Sequence, residues 1–119
     1  MRTNAQIVGE TDARSAVRLV PVTQRDGARL EVTGAIDLAT AVHLLRVLRQ
    51  ALRAAPATIE LDVAGVEFID VAGMRSLISC RRIAHARRVE LVFVGENVAV
   101  RRLAGLMGLP ALADVGTGN

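Results

Sequence analysis

The feature that most limits what this chain can become is a change of hydrophobic period in mid-sequence. From Thr58 to Val63, Ile59, Leu61 and Val63 alternate with Glu60 and Asp62. A period of two sends one side of a strand into a core and the other toward water. On both flanks the period becomes helical. Asp37 precedes Leu38, Ala41, Val42, Leu45, Leu48 and Leu52 at helical spacing, which assigns Thr40, His43, Arg46, Gln50 and Arg53 to the solvent side. Asp37 is the expected N-cap, and Pro56 stops the helix. Past Asp70, Met74, Leu77, Ile78, Cys80 and Ala84 share the inner side of a second helix that runs to about Arg87.

The remaining segments complete the order. Val17 to Val22 and Ala28 to Thr33 read as an antiparallel hairpin turned by Asp26-Gly27, with Pro21 placing the first strand at a sheet edge. A short loop, Ala64-Gly65, separates the alternating strand from Val66 to Ile69. Val89 to Val94 is an apolar strand. Asn97 caps a third helix with Val98 or Val100, Leu103, Leu106 and Met107 inside, ended by Gly108 and Pro110. The expectation is an α/β fold of order β-β-α-β-α-β-α with a mixed sheet, because helical crossovers make the later strands parallel. Residues 15–115 form one domain, 1–14 a mobile arm and 116–119 a flexible C-terminus. An edge strand through Ile7 and Val8 is the alternative for the arm.

Several function classes fall away at this stage. Charged residues interrupt every apolar stretch well short of the ~20 residues a spanning helix needs, so no direct membrane insertion is expected. The first residues show no secretory leader, and one cysteine makes no internal disulfide, which fits a cytoplasmic location. The net charge of +3 arises from 15 arginines, with no lysine, against 12 acids. Codon bias accounts for such a balance as well as a polyanion partner does. Phe68 and Phe93 are the only aromatic residues, too few for base-stacking platforms, so nucleic acid is not an expected partner.

A search for chemistry finds little. His43 and His85 lie on polar helix sides without ligand-spaced neighbours, and Cys80 falls on an inner face where a thiol acts as a small hydrophobe. Neither GxGxxG nor GxxxxGK[ST] occurs. Asp37, Asp62 and Asp70 sit near element ends, where capping and loop contacts are preferred to a shared magnesium-type cation. No enzyme activity, metal or cofactor is expected.

One constellation does stand out. The segment LDVAGVEFIDVAGMRSL, Leu61 to Leu77, carries a strand into an Asp-x-x-Gly turn that opens a helix. It resembles the STAS domain signature LDLSGVxFIDSSGLxxL, a family that includes bacterial anti-sigma factor antagonists and the cytoplasmic tails of sulfate transporters. GAIDLATA, from Gly34 to Ala41, resembles the family's G-x-L-D-x-x-x-A element. Val98 to Leu103 and Gly108-Leu109 resemble its closing V-x-R-x-L and G-L elements.

The resemblance implies a protein that docks on an anti-sigma factor, in switchable members a kinase, and so frees a sigma factor. Those members are phosphorylated on the Ser or Thr directly after the motif Asp, which here is Val71; Ala72 offers no substitute hydroxyl. A phosphate would bring roughly −1.5 to −2 charges to the contact. Its absence leaves two expectations, an antagonist that docks constitutively or a scaffold subunit beside other STAS proteins, in a signalling assembly or an ABC-type lipid or sulfate transport complex. The implied contact patch is the loop Ile69, Asp70, Val71, Ala72 and Gly73 with the start of the first helix at Asp37. Arg75, Ser76, Ser79 and Arg82 add the outward side of the second helix. Gly73 would permit close approach of a backbone. Ser76 and Ser79 are poor phosphorylation sites, since a kinase needs an extended substrate.

Overall fold

The computed structural model describes residues 8–12, 15–20 and 27–109. Five strands form one sheet in the order β1 (Val8–Asp12), β2 (Ser15–Val20), β3 (Gly27–Ile36), β4 (Thr58–Ile69), β5 (Glu90–Val94). β2 is antiparallel to both of its neighbours, β1 and β3, whereas β3, β4 and β5 run parallel. The parallel pairs need crossovers, supplied by α1 (Leu38–Leu52) and α2 (Val71–Ala86); α3 (Val98–Leu106) follows β5. The mixed α/β class and the succession β-β-α-β-α-β-α stand, with one strand added in front. Over Val8–Asp12 the expected arm is thus an edge strand, paired with Ser15 to Arg18. The strand ahead of Pro21 is consequently interior over those residues, not an edge. Pro21, the Asp26 turn residue, Pro110 and residues 116–119 lie outside the described residues.

Helices α1 and α2 pack against each other and share one core with the sheet. Leu30, Val32 and Ile36 of β3, and Ile59, Leu61, Val63, Val66 and Ile69 of β4, line it. Spacing along β4 explains why no loop forms at Ala64-Gly65. The register against β3 slips between Asp62 and Gly65, and again between Val66 and Phe68, so β4 holds an extra residue at each place. Each bulge turns the chain so that Val66 and Ile69 return to the core face at a spacing of three instead of two. Gly65 lies close to Thr33 there: a Cβ would meet Thr33 Cγ2 at 2.8 Å and displace that methyl group. Asn97 fastens the bulged stretch: its Nδ2 donates to Val63 O at 2.9 Å and Val66 O at 2.7 Å, while its Oδ1 accepts from Val100 N.

Two helical faces differ from the expectation. The core side of α1 is Thr40, Ala41, Leu44, Val47, Leu48, Ala51 and Leu52, so Thr40 is inside and Leu38 and Val42 are outside. Thr40 can be buried because its hydroxyl donates to Ala35 O at 2.7 Å. His43 is half-buried, not solvated, and its Nδ1 has no partner among the described residues. In α3 the inner residues are Val100 and Ala104, with Leu106 exposed.

Candidate functional site

Strands β3, β4 and β5 are parallel, so their C-terminal ends share one edge of the sheet, and the N-termini of α1, α2 and α3 leave from that edge. Each helix is capped there by an Asx side chain. Asp37 Oδ1 accepts from Thr40 N at 3.0 Å, Asp70 Oδ1 from Gly73 N at 2.7 Å, and Asn97 closes α3 in the same way. The bond from Thr40 N holds the Asp37 carboxyl below the usual carboxylate range, against an opposing effect of burial and with help from the Thr40 hydroxyl.

The rim is tied together from within. Asp70 N donates to Ile36 O at 3.4 Å, and the site of a Cβ on Gly73 is occupied by the Ile36 carbonyl oxygen. The close approach that Gly73 permits is therefore to β3, and it is spent inside the fold rather than on a partner. Ile69 ends β4 with its side chain buried, and Val71 to Gly73 are already the first turn of α2, so the expected loop Ile69 to Gly73 does not exist as a loop.

The outward side of α2 also needs one correction. Ser76 is buried and its Oγ donates to Gly73 O at 2.6 Å, which removes it from the surface. Arg75 and Arg82 are exposed, and Ser79 and Ala72 are half-buried. The large apolar side chains the rim presents outward are Leu38, 73% exposed, Val42 56%, Phe68 55%, Val71 44% and Val98 57%, with the acids Glu67 and Glu96 exposed beside them. Of these, only Val71 was among the expected contact residues. Leu38 and Val42 were hidden by an α1 sequence with more apolar residues than one buried face accommodates. Phe68 stands between Val66 and Ile69, which the second bulge brings to the core face, so its own side chain is exposed.

Chemistry elsewhere is sparse. Burial pushes the Cys80 thiol up to about 12, with nearby Arg49 acting weakly the other way, so no thiolate is available at neutral pH. Among the described residues no group of three or more His, Cys, Asp or Glu side chains is arranged to hold a metal ion. No helix there is long and apolar enough to cross a membrane. A shallow, open depression bordered by His85, Arg88 and Glu90 lies at the far end of α2.

The family model described as Mlab, STAS domain, matches residues 21–114. The chain belongs to the STAS domain family. The fold of this STAS domain is similar to that of the anti-sigma factor antagonist from Mycobacterium paratuberculosis, with a TM-score of 0.69 at 20% identity, covering 94% of this chain and 92% of that one. It is also similar to the anti-sigma factor antagonist SpoIIAA in its unphosphorylated form, with a TM-score of 0.66 at 18% identity over 81% and 84% of the two chains. The phosphorylated form of the Bacillus cell fate determinant SpoIIAA gives 0.61 at 15% identity, covering 81% and 86%. Set against curated proteins, the sequence has no match.

Proposed function

We propose that this STAS domain is a binding module of the anti-sigma factor antagonist kind, non-enzymatic, that docks on an anti-sigma factor through the apolar rim. The observation that carries this reading is Val71. It stands where the STAS resemblance puts the regulatory hydroxyl, is exposed, and lies on the rim that also bears Leu38 and Phe68. An apolar side chain there adds contact area and accepts no phosphate, so docking is constitutive and controlled by abundance or by another input. Covering the exposed part of Val71, 44% of the residue, contributes about 1 kcal/mol in a well-packed contact.

The same residue favours a second reading, a scaffold subunit of a larger signalling or transport assembly, because a subunit that stays bound has no use for a phosphorylation switch. Affinity capture of the tagged protein from its own cells, with Val71→Asp as the paired bait, separates the two. Recovery of an anti-sigma factor by the parent and its loss with Val71→Asp is the expected result. Recovery of transport or multi-STAS components in its place supports the scaffold, and a partner indifferent to Val71→Asp removes the rim from either account.

A further inference from the structure

The two crossover helices carry a second pattern along their outward sides. Both start at the rim and run in the same direction, since each returns the chain between parallel strands. On α1 the outward stripe reads Leu38, Val42, Arg46, Arg49; on α2 it reads Val71, Arg75, Ser79, Arg82. Each is apolar at the rim and cationic further on. No Asp or Glu lies within α1, α2 or α3, although the chain has 12 acids.

Codon bias accounts for Arg in place of Lys, but not for acids confined to strands, caps and loops. Helix energetics point the other way as well: acids are favoured in first turns, and none of the three helices has one there. Cations in a last turn complement the dipole, which accounts for Arg49. It does not account for Arg75, one turn from the N-terminus of α2, or for Arg82.

We infer that the occupant of this paired-helix face is a protein segment that is apolar at one end and acidic at the other, laid along α1 and α2. This rests on the docking function proposed above and specifies the chemistry of the partner. From Val71 to Arg82 is about 16 Å of helix, so the segment spans about three helical turns. A nucleic-acid backbone offers nothing apolar to Leu38, Val42 and Val71. A bilayer needs its apolar and cationic contacts side by side in one plane, whereas here they follow one another along the helix axes. The arginines add to association rate and partner discrimination, and the rim supplies apolar contact.

The test uses the full chain and three synthetic stapled helical peptides: one with Leu and Ile in its first half and Glu in its second, one with Lys in place of Glu, and one with the first composition evenly mixed. Binding is read by fluorescence anisotropy at low and at physiological salt, for the parent and for Arg75→Glu/Arg82→Glu. The expected result is preference for the segregated acidic peptide by about tenfold over both others, weakened by salt, and transferred to the Lys peptide in the double variant. Equal binding of the three peptides overturns the inference, as does acidic-peptide binding that survives the double variant. So does binding of phosphatidylglycerol vesicles or duplex DNA in preference to the peptide. A natural partner captured equally well by parent and double variant, yet lost with Val71→Asp, overturns the inference while leaving the docking function intact.

Discussion

Arginines on the two faces of this molecule do different work. On the open face of the sheet they are paired: Arg29 reaches Asp62 at 2.5 Å and Glu60 at 2.7 Å, with Glu31 at 3.6 Å, and Arg18 reaches Glu31 at 3.0 Å. Burial alone would lower the Arg29 pKa, but attraction to Asp62, Glu60 and Glu31 outweighs it and the value is raised. These pairs bridge β2 to β3 and β3 to β4 at matched register positions, Arg18 opposite Glu31 and Arg29 opposite Glu60. On the helical layer, among the described residues, only Arg101 has an ion pair, at 4.0 Å to Glu96. Charge on the sheet is neutralised locally and supports strand registration; charge on the helices projects a field. Whether an arginine is paired follows from whether its neighbours on the same face are acidic.

The helical face keeps its place only if α2 is held at a fixed distance from the sheet, and Gly73 sets that distance. Gly73→Val should therefore have the largest effect, a loss of about 3 kcal/mol or more in chemical denaturation, since neither backbone can yield without breaking the Asp70 cap. Little change would mean that α2 has freedom to move and that the rim is not preformed.

Asp62→Ala leaves Arg29 without its nearest partner and removes the acceptor of Ala64 N at 2.8 Å, so a loss of about 2 kcal/mol is expected. Arg82→Glu, on the exposed helical face, should stay within about 0.5 kcal/mol of the parent. Equal losses would erase the distinction drawn here.

The smallest effect concerns the cap at the rim. Because the folded-state pKa of Asp37 lies below its unfolded value, its contribution is complete above the unfolded pKa and disappears as pH falls through the folded one. Thermal midpoints measured from neutral pH downward should fall below about pH 4, and Asp37→Asn should flatten that acid limb while changing the neutral value little, since Asn also caps. An unchanged acid limb would assign the loss to other carboxylates.

Much of the architecture was legible because its signals are local. A cap needs only an Asx side chain and the amide three residues on, so Asp37, Asp70 and Asn97 announced the three helix starts. The Leu61 to Leu77 segment disclosed the family. The surface was less legible. Ser76 looked outward by spacing, yet its hydroxyl is satisfied by Gly73 O inside the same helix. Leu38 and Val42 fall in the apolar helical series of α1, yet both are exposed.

What the sequence determined by itself was the succession of elements and their caps, which depend on residues a few positions apart. Tertiary structure decided where the buried face of α1 ends, where β4 bulges, that β1 joins the sheet, and that the two arginine populations occupy separate faces. Those outcomes depend on contacts between residues distant in the chain. The apolar series of α1 is broader than the face it buries, and contact with the sheet sets the limits of that face, with Ala35 O as the acceptor for the Thr40 hydroxyl.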